Sequence, residues 1–162
     1  MTAIQVKPGV SWIGVNDRTT DLFEGLWPIT SEGVSYNAYV IKDQKNALVD
    51  MAKDIKMNAL LDQIAEVVDP AKLDYIIVNH MEPDHTGVMR TLRRIAPNAT
   101  VVATKRAVDL LKNYYGVTEG VQIVDDGDEI SLGEHTLRFY MTPMVHWPET
   151  MMTYEVSHNV LF

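Results

Sequence analysis

Three short apolar runs, at residues 75–78, 100–103 and 121–124, are separated by two segments of helical period, and this alternation constrains the fold more than any other feature. A continuous apolar run of four or five residues between polar turns reads as a strand buried on both faces, as in parallel sheets. After the first run, Val88, Leu92 and Ile95 share one face of a helix predicted over 87–95, with Arg90, Arg93 and Arg94 outward. After the second, Thr104 is predicted to cap a helix over 105–115. Gly116 closes that helix at the position where a left-handed backbone favours glycine. Upstream, Met57, Leu60, Leu61, Ile64, Val67 and Val68 recur at spacings of three and four. They predict a helix with Asp54 as its N-cap and Asp69-Pro70 as its stop.

The flanks are β-rich. Residues 2–7 and 10–15 read as a hairpin over Pro8-Gly9, and 34–41 as a strand joined through the polar turn 42–46 to a partner at 47–50. Towards the other end, 129–132 and 136–141 read as a hairpin around Gly133-Glu134. Residues 142–150 form a loop with two prolines, and 151–156 and 160–162 a last hairpin over Ser157-His158-Asn159. The order β-rich, βαβαβα, β-rich predicts one α/β domain, a mixed β-sheet flanked by helices in layers. The final strand, ending at Phe162 with no helix after it, predicts an incomplete layer.

Bulk properties remove several function classes. A formal charge of −8 argues against nucleic acid or an anionic membrane surface as partner, since both select basic patches. The chain has no cysteine, so disulfides, Cys-ligated clusters and a thiolate nucleophile are excluded within it, and any metal must be held by nitrogen and oxygen. The first residues lack a basic segment followed by a long apolar one, and no run of 18 apolar residues occurs; cytoplasmic residence is the default expectation.

Directly after the first apolar run comes His80-Met81-Glu82-Pro83-Asp84-His85, two imidazoles and two carboxylates within six residues. A strand end followed by a turn is where α/β folds present their chemistry. Alternate residues of a tight turn face different ways, so His80 and Glu82 would serve one metal, and Asp84 and His85 a second beside it. Pro83 stiffens the turn by fixing its own φ. Mixed imidazole and carboxylate donors suit Fe(II) or Mn(II) better than the His- and Cys-rich sets of zinc. His146, between Pro143 and Pro148, fits two readings, a further ligand or a loop histidine. Its neighbour Trp147 is either a pocket wall or a packed aromatic, and Tyr36 reads as packed. His135 and His158 sit in hairpin turns and read as solvated.

The segment His80–His85 resembles the H-x-E-x-D-H motif of flavodiiron proteins, flavin-linked O2 and NO reductases whose diiron domain has the metallo-β-lactamase fold. Leu26-Trp27-Pro28, the segment 33–41 and the segment 142–154 carry the same resemblance, which runs through to Phe162. It implies a metallo-β-lactamase-like αβ/βα sandwich, of which this chain is the N-terminal part. It further implies that His80, Glu82 and His146 hold one iron, and that Asp84 and His85 are two ligands of the other. In the family a bridging Asp and a last His follow, and a flavodoxin-like FMN domain comes after them; none lies within these residues. FMN, facing the diiron site across a head-to-tail homodimer, passes on electrons from rubredoxin or a flavin reductase, and O2 becomes water or NO becomes N2O. Without the missing ligands the chain alone is expected to be inactive and to expose apolar sheet surface. Two other readings compete: a zinc-dependent hydrolase of the metallo-β-lactamase superfamily, which calls for His in place of Glu82, and a non-catalytic binding or assembly module.

Overall fold

In a computed structural model describing residues 2–162, the chain forms two stacked sheets with helices on one side. The first half runs through β1 (Ile4–Lys7), β2 (Val10–Trp12), β3 (Val15–Asp17), β4 (Leu22–Phe23), β5 (Trp27–Pro28), β6 (Val34–Tyr36), β7 (Tyr39–Ile41), β8 (Asn46–Val49) and α1 (Met57–Val67). Then come β9 (Leu73–Ile77), α2 (Pro83–Thr86), α3 (Met89–Ile95), β10 (Thr100–Thr104), α4 (Lys105–Leu110) and β11 (Val121–Val124). The antiparallel strands β12 (Glu129–Ser131), β13 (Thr136–Met141), β14 (Met151–Glu155) and β15 (Val160–Leu161) follow.

The first sheet has seven strands in the order β1-β2-β7-β8-β9-β10-β11, antiparallel up to β8 and parallel from β8 to β11. The second has four, β12-β13-β14-β15. Strand periodicity divides the core in two. Val40, Leu48, Ile76 and Val101 face α1, α3 and α4, while their neighbours Ile41, Ala47, Val49, Ile77 and Val102 face the second sheet and meet Leu137, Phe139 and Met151. No helical residue enters this second cluster, which is built between the two sheets.

Several boundaries differ from expectation. The strand predicted at 34–41 is two, β6 and β7, and the one at 10–15 divides likewise into β2 and β3. The chain bends where Ile13 N–H donates to the Ala38 carbonyl at 2.8 Å, and β3 and β6 pair apart from the main sheet. Asp54 does not cap α1; its carboxylate takes the Ile55 N–H at 2.8 Å within a 3-10 turn preceding the helix. Thr104 does cap α4, accepting from Ala107 N–H at 3.3 Å, and Gly116 adopts φ 71° after the π-type turn Leu111–Tyr115.

Candidate metal centre

The parallel strands β8 and β9 end side by side, and the candidate residues gather beyond those ends. Asn79, the residue before His80, is fixed from both neighbours. Its N–H donates to Asp50 Oδ1 at 2.8 Å, its carbonyl accepts from Met151 N–H at 3.0 Å, and its side-chain oxygen accepts from Thr153 Oγ1 at 2.7 Å. The motif then closes into helix rather than an open turn. Pro83 occupies the first turn of α2, where a missing N–H costs nothing, and Glu82 precedes it with extended backbone (φ −62°, ψ 147°). Glu82 thus points back towards His80, while Asp84 and His85 belong to the helix.

The long loop between β13 and β14 brings His146 to the same place. His80 Nε2, Glu82 Oε2 and His146 Nε2 form a nearly equilateral triangle, each pair 3.0 Å apart. The other ring nitrogen decides what this triangle is. His80 Nδ1 lies 2.9 Å from Glu149 Oε1, which also accepts the Met81 N–H at 3.0 Å. A carboxylate oxygen only accepts, so His80 Nδ1 carries the proton and Nε2 presents its lone pair to the triangle. One proton can relieve one edge of three mutually facing acceptors, whereas one cation at the centre relieves all three. Bonds of about 2.1 Å at right angles put donor atoms about 3.0 Å apart, whereas tetrahedral angles spread them to about 3.4 Å. The observed edges fit the right-angled face of a six-coordinate ion. His80 and Glu82 are largely buried and His146 is exposed on its loop, so the face is open on one side.

Asp84 and His85 stand beside this group without joining it. The His85 ring centroid is 5.2 Å from that of His80. Its Nδ1 faces Asp50 Oδ2 at 3.3 Å and its Nε2 faces Asp84 Oδ2 at 3.7 Å. Burial alone would lower the His85 pKa, but the hydrogen bond and charge of Asp50, with Asp84 and Glu82, lift it to about 9. Burial pushes the Asp84 carboxyl up, and Asp84 Oδ1 is buried without a hydrogen-bond partner. An orphaned carboxylate oxygen beside an imidazole is a donor pair that suits a second cation. Trp147 meets His80 edge to face at 5.0 Å between ring centroids and packs on the helix-side core, so it is both wall and packed aromatic. Tyr36 is buried in that core, as expected, with its hydroxyl 3.4 Å from Asp17 Oδ2.

Two carboxylates of this site escaped the sequence reading. Asp50 follows an apolar strand, and Glu149 follows Pro148 three residues after His146; each is an isolated acidic residue whose burial only the fold reveals. His135, read as solvated, is 4% exposed, because its hairpin folds under Gly9 and the turn after β14. His158, read the same way, lies 3.3 Å from the buried Glu155 carboxylate.

Comparison with known proteins places the chain in a family. Residues 34–162 match the ODP family beta lactamase domain. The chain is 39% identical to a nitric oxide reductase of Moorella thermoacetica over 98% of its own length and 40% of that protein's. It superposes on the flavodiiron protein of Giardia intestinalis with a TM-score of 0.93 at 34% identity, covering 100% of this chain and 39% of that one. On rubredoxin oxygen:oxidoreductase of Desulfovibrio gigas the TM-score is 0.92 at 31% identity, with 99% and 40% covered. The chain thus spans about two fifths of the length of the proteins it matches. With the fold, the motif and these likenesses in agreement, the chain belongs to the ODP family of β-lactamase-like domains and corresponds to the N-terminal diiron-domain part of flavodiiron proteins.

Proposed function

We propose that this chain forms the larger part of a diiron centre in a flavodiiron reductase of O2 or NO, with His80, Glu82 and His146 holding one iron and Asp84 and His85 contributing to the other. The observation that carries the reading is the triangle of three acceptor atoms with 3.0 Å edges, two imidazole nitrogens and one carboxylate oxygen. That is the donor set and spacing of a two-His-one-carboxylate face, which suits ferrous iron and leaves coordination positions free. When bound, iron supplies the redox chemistry that diatomic reduction requires. The residues of this chain do the positioning. Glu149 fixes the His80 tautomer, Asp50 turns His85 Nε2 towards Asp84, and Trp147 shields one side. His85, whose pKa the Asp50 carboxylate and its acidic neighbours lift to about 9, would give up a proton in order to serve as a ligand.

FMN held by a flavodoxin-like domain outside these residues would supply the electrons, with a rubredoxin-like protein or a flavin reductase as donor. A head-to-tail homodimer would bring the FMN of one subunit to the metal centre of the other. No helix among the described residues is long and apolar enough to cross a membrane, which suits a cytoplasmic reductase. Anaerobic reconstitution with Fe(II), with the metal counted per chain and retained iron measured against a chelator, tests the assignment. Iron that is lost in His80→Ala and Glu82→Ala supports it; iron bound undiminished in both variants refutes it.

A further inference from the structure

At the opposite end of the second sheet from the metal centre, three turns converge on one buried carboxylate. Glu155 closes β14 and is fully buried. Its Oε1 accepts the Ser157 N–H at 2.9 Å and its Oε2 the His158 N–H at 2.8 Å, which orients both oxygens. Burial alone would raise this carboxyl, but those two N–H donors and the His135 imidazole hold it below the ordinary range. His135 Nδ1 comes within 3.1 Å of Oε1, and His158 Nδ1 within 3.3 Å of Oε2. Both nitrogens are buried, and beyond these carboxylate oxygens neither has another hydrogen-bond partner. Gly9 lies so close to His135 Nε2 that any larger residue would collide with the ring. The Asp43 carboxylate takes the His135 N–H at 2.7 Å and adds negative charge beside it.

Two buried imidazole nitrogens converging on one oriented carboxylate, with no other polar partner, make a donor set that a cation can use. We propose that His135, Glu155 and His158 form a second cation site, which takes a zinc-like divalent ion through both Nδ1 atoms and the Glu155 carboxylate. The three ligand atoms lie within 4.8 Å of one another, so small side-chain movements close them on one ion. Two His and one carboxylate with a solvent-filled fourth position is an ordinary zinc set. The backbone donors to Glu155 are the outer contacts that such sites use to aim a carboxylate. The six residues of β13 put about 20 Å between this group and the metal centre, so the two sites fill independently. An ion here would pin the turns after β12 and β14 together, where Ser157 Oγ already donates to the Glu134 carbonyl at 2.9 Å.

The test is calorimetric titration of the metal-free chain with zinc alone, in a Glu82→Ala/His85→Ala/His146→Ala background that disables both halves of the metal centre. One zinc per chain is expected, bound at least about tenfold more weakly after His158→Ala or Glu155→Gln. His158 is partly exposed on its turn, so its removal leaves the core intact. In crystals of the unmodified chain soaked in zinc, an anomalous scattering peak is expected between His135 and His158. No zinc bound in the background, zinc affinity unchanged by His158→Ala, or a peak at the metal centre alone would each overturn the proposal.

Discussion

Replacing Glu149 separates orientation of the His80 ring from mere packing. Glu149 is 2% exposed, and its Oε1 takes two buried donors, His80 Nδ1–H at 2.9 Å and Met81 N–H at 3.0 Å. Its backbone is held separately, because Thr104 Oγ1 donates to the Glu149 carbonyl at 2.9 Å. Glu149→Gln keeps an oxygen that can accept but loses the charge that favours His80 protonated at Nδ1. Removing such an outer partner typically weakens metal binding about 10- to 100-fold, or about 1.4 to 2.7 kcal/mol. The Gln variant should fall near the lower bound and the Ala variant near the upper. Glu149→Ala also strands both donors out of water, at about 1 to 3 kcal/mol each before relaxation, so the metal-free chain should lose about 2 to 4 kcal/mol. Anaerobic Fe(II) competition against a chelator reads the first quantity, and urea unfolding of the metal-free chain the second. An Ala variant that loses the stability but holds iron within about twofold of the unmodified chain would refute an orienting role for Glu149.

Two further expectations concern the fold. Asp17 is fully buried against Lys56 Nζ at 2.8 Å; burial alone would raise its carboxyl, but Lys56 and the Thr20 and Thr19 donors hold it far below the usual carboxylate range. Its contribution is complete above the unfolded pKa and is lost as pH falls through the lower folded value, so the unmodified chain should weaken below about pH 4. Asp17→Asn should cost about 3 kcal/mol at pH 7 and flatten that acid limb in urea titrations; an unchanged limb would show that Asp17 does not cause it. Phe139, fully buried between the sheets, should cost about 3 to 5 kcal/mol on change to Ala, measured by denaturant unfolding, whereas a loss under about 1 kcal/mol would mean the sheets are loosely packed there.

The elements with strong periodicity were legible in the residues themselves. The apolar runs at 75–78, 100–103 and 121–124 became β9, β10 and β11, and the period of three and four at Met57–Val67 became α1. Failures came where a bend or a distant partner sets the outcome. Nothing local at 34–41 signals that Asn37-Ala38 interrupts the strand, because the interruption is made by residues 13–14 from across the sheet. Among candidate ligands, those in one continuous motif were visible, since sequence neighbours share a turn. His146 was ambiguous because its partners are 64 and 66 residues away. Asp50, Glu149 and the His135–Glu155–His158 group were missed for the same reason: burial of a lone polar residue is a property of the tertiary fold.

The 66-residue separation of His80 and His146 also bears on how the molecule holds together. His80 follows a strand of the first sheet, and His146 sits on the loop joining two strands of the second. A cation gripping both acts as a cross-link, and in the chain-entropy account a closed loop of this size removes roughly 4 kcal/mol of freedom from the unfolded chain. Metal loading would then resist separation of the two halves of the sandwich, and a chelator would loosen their seam as well as empty the site.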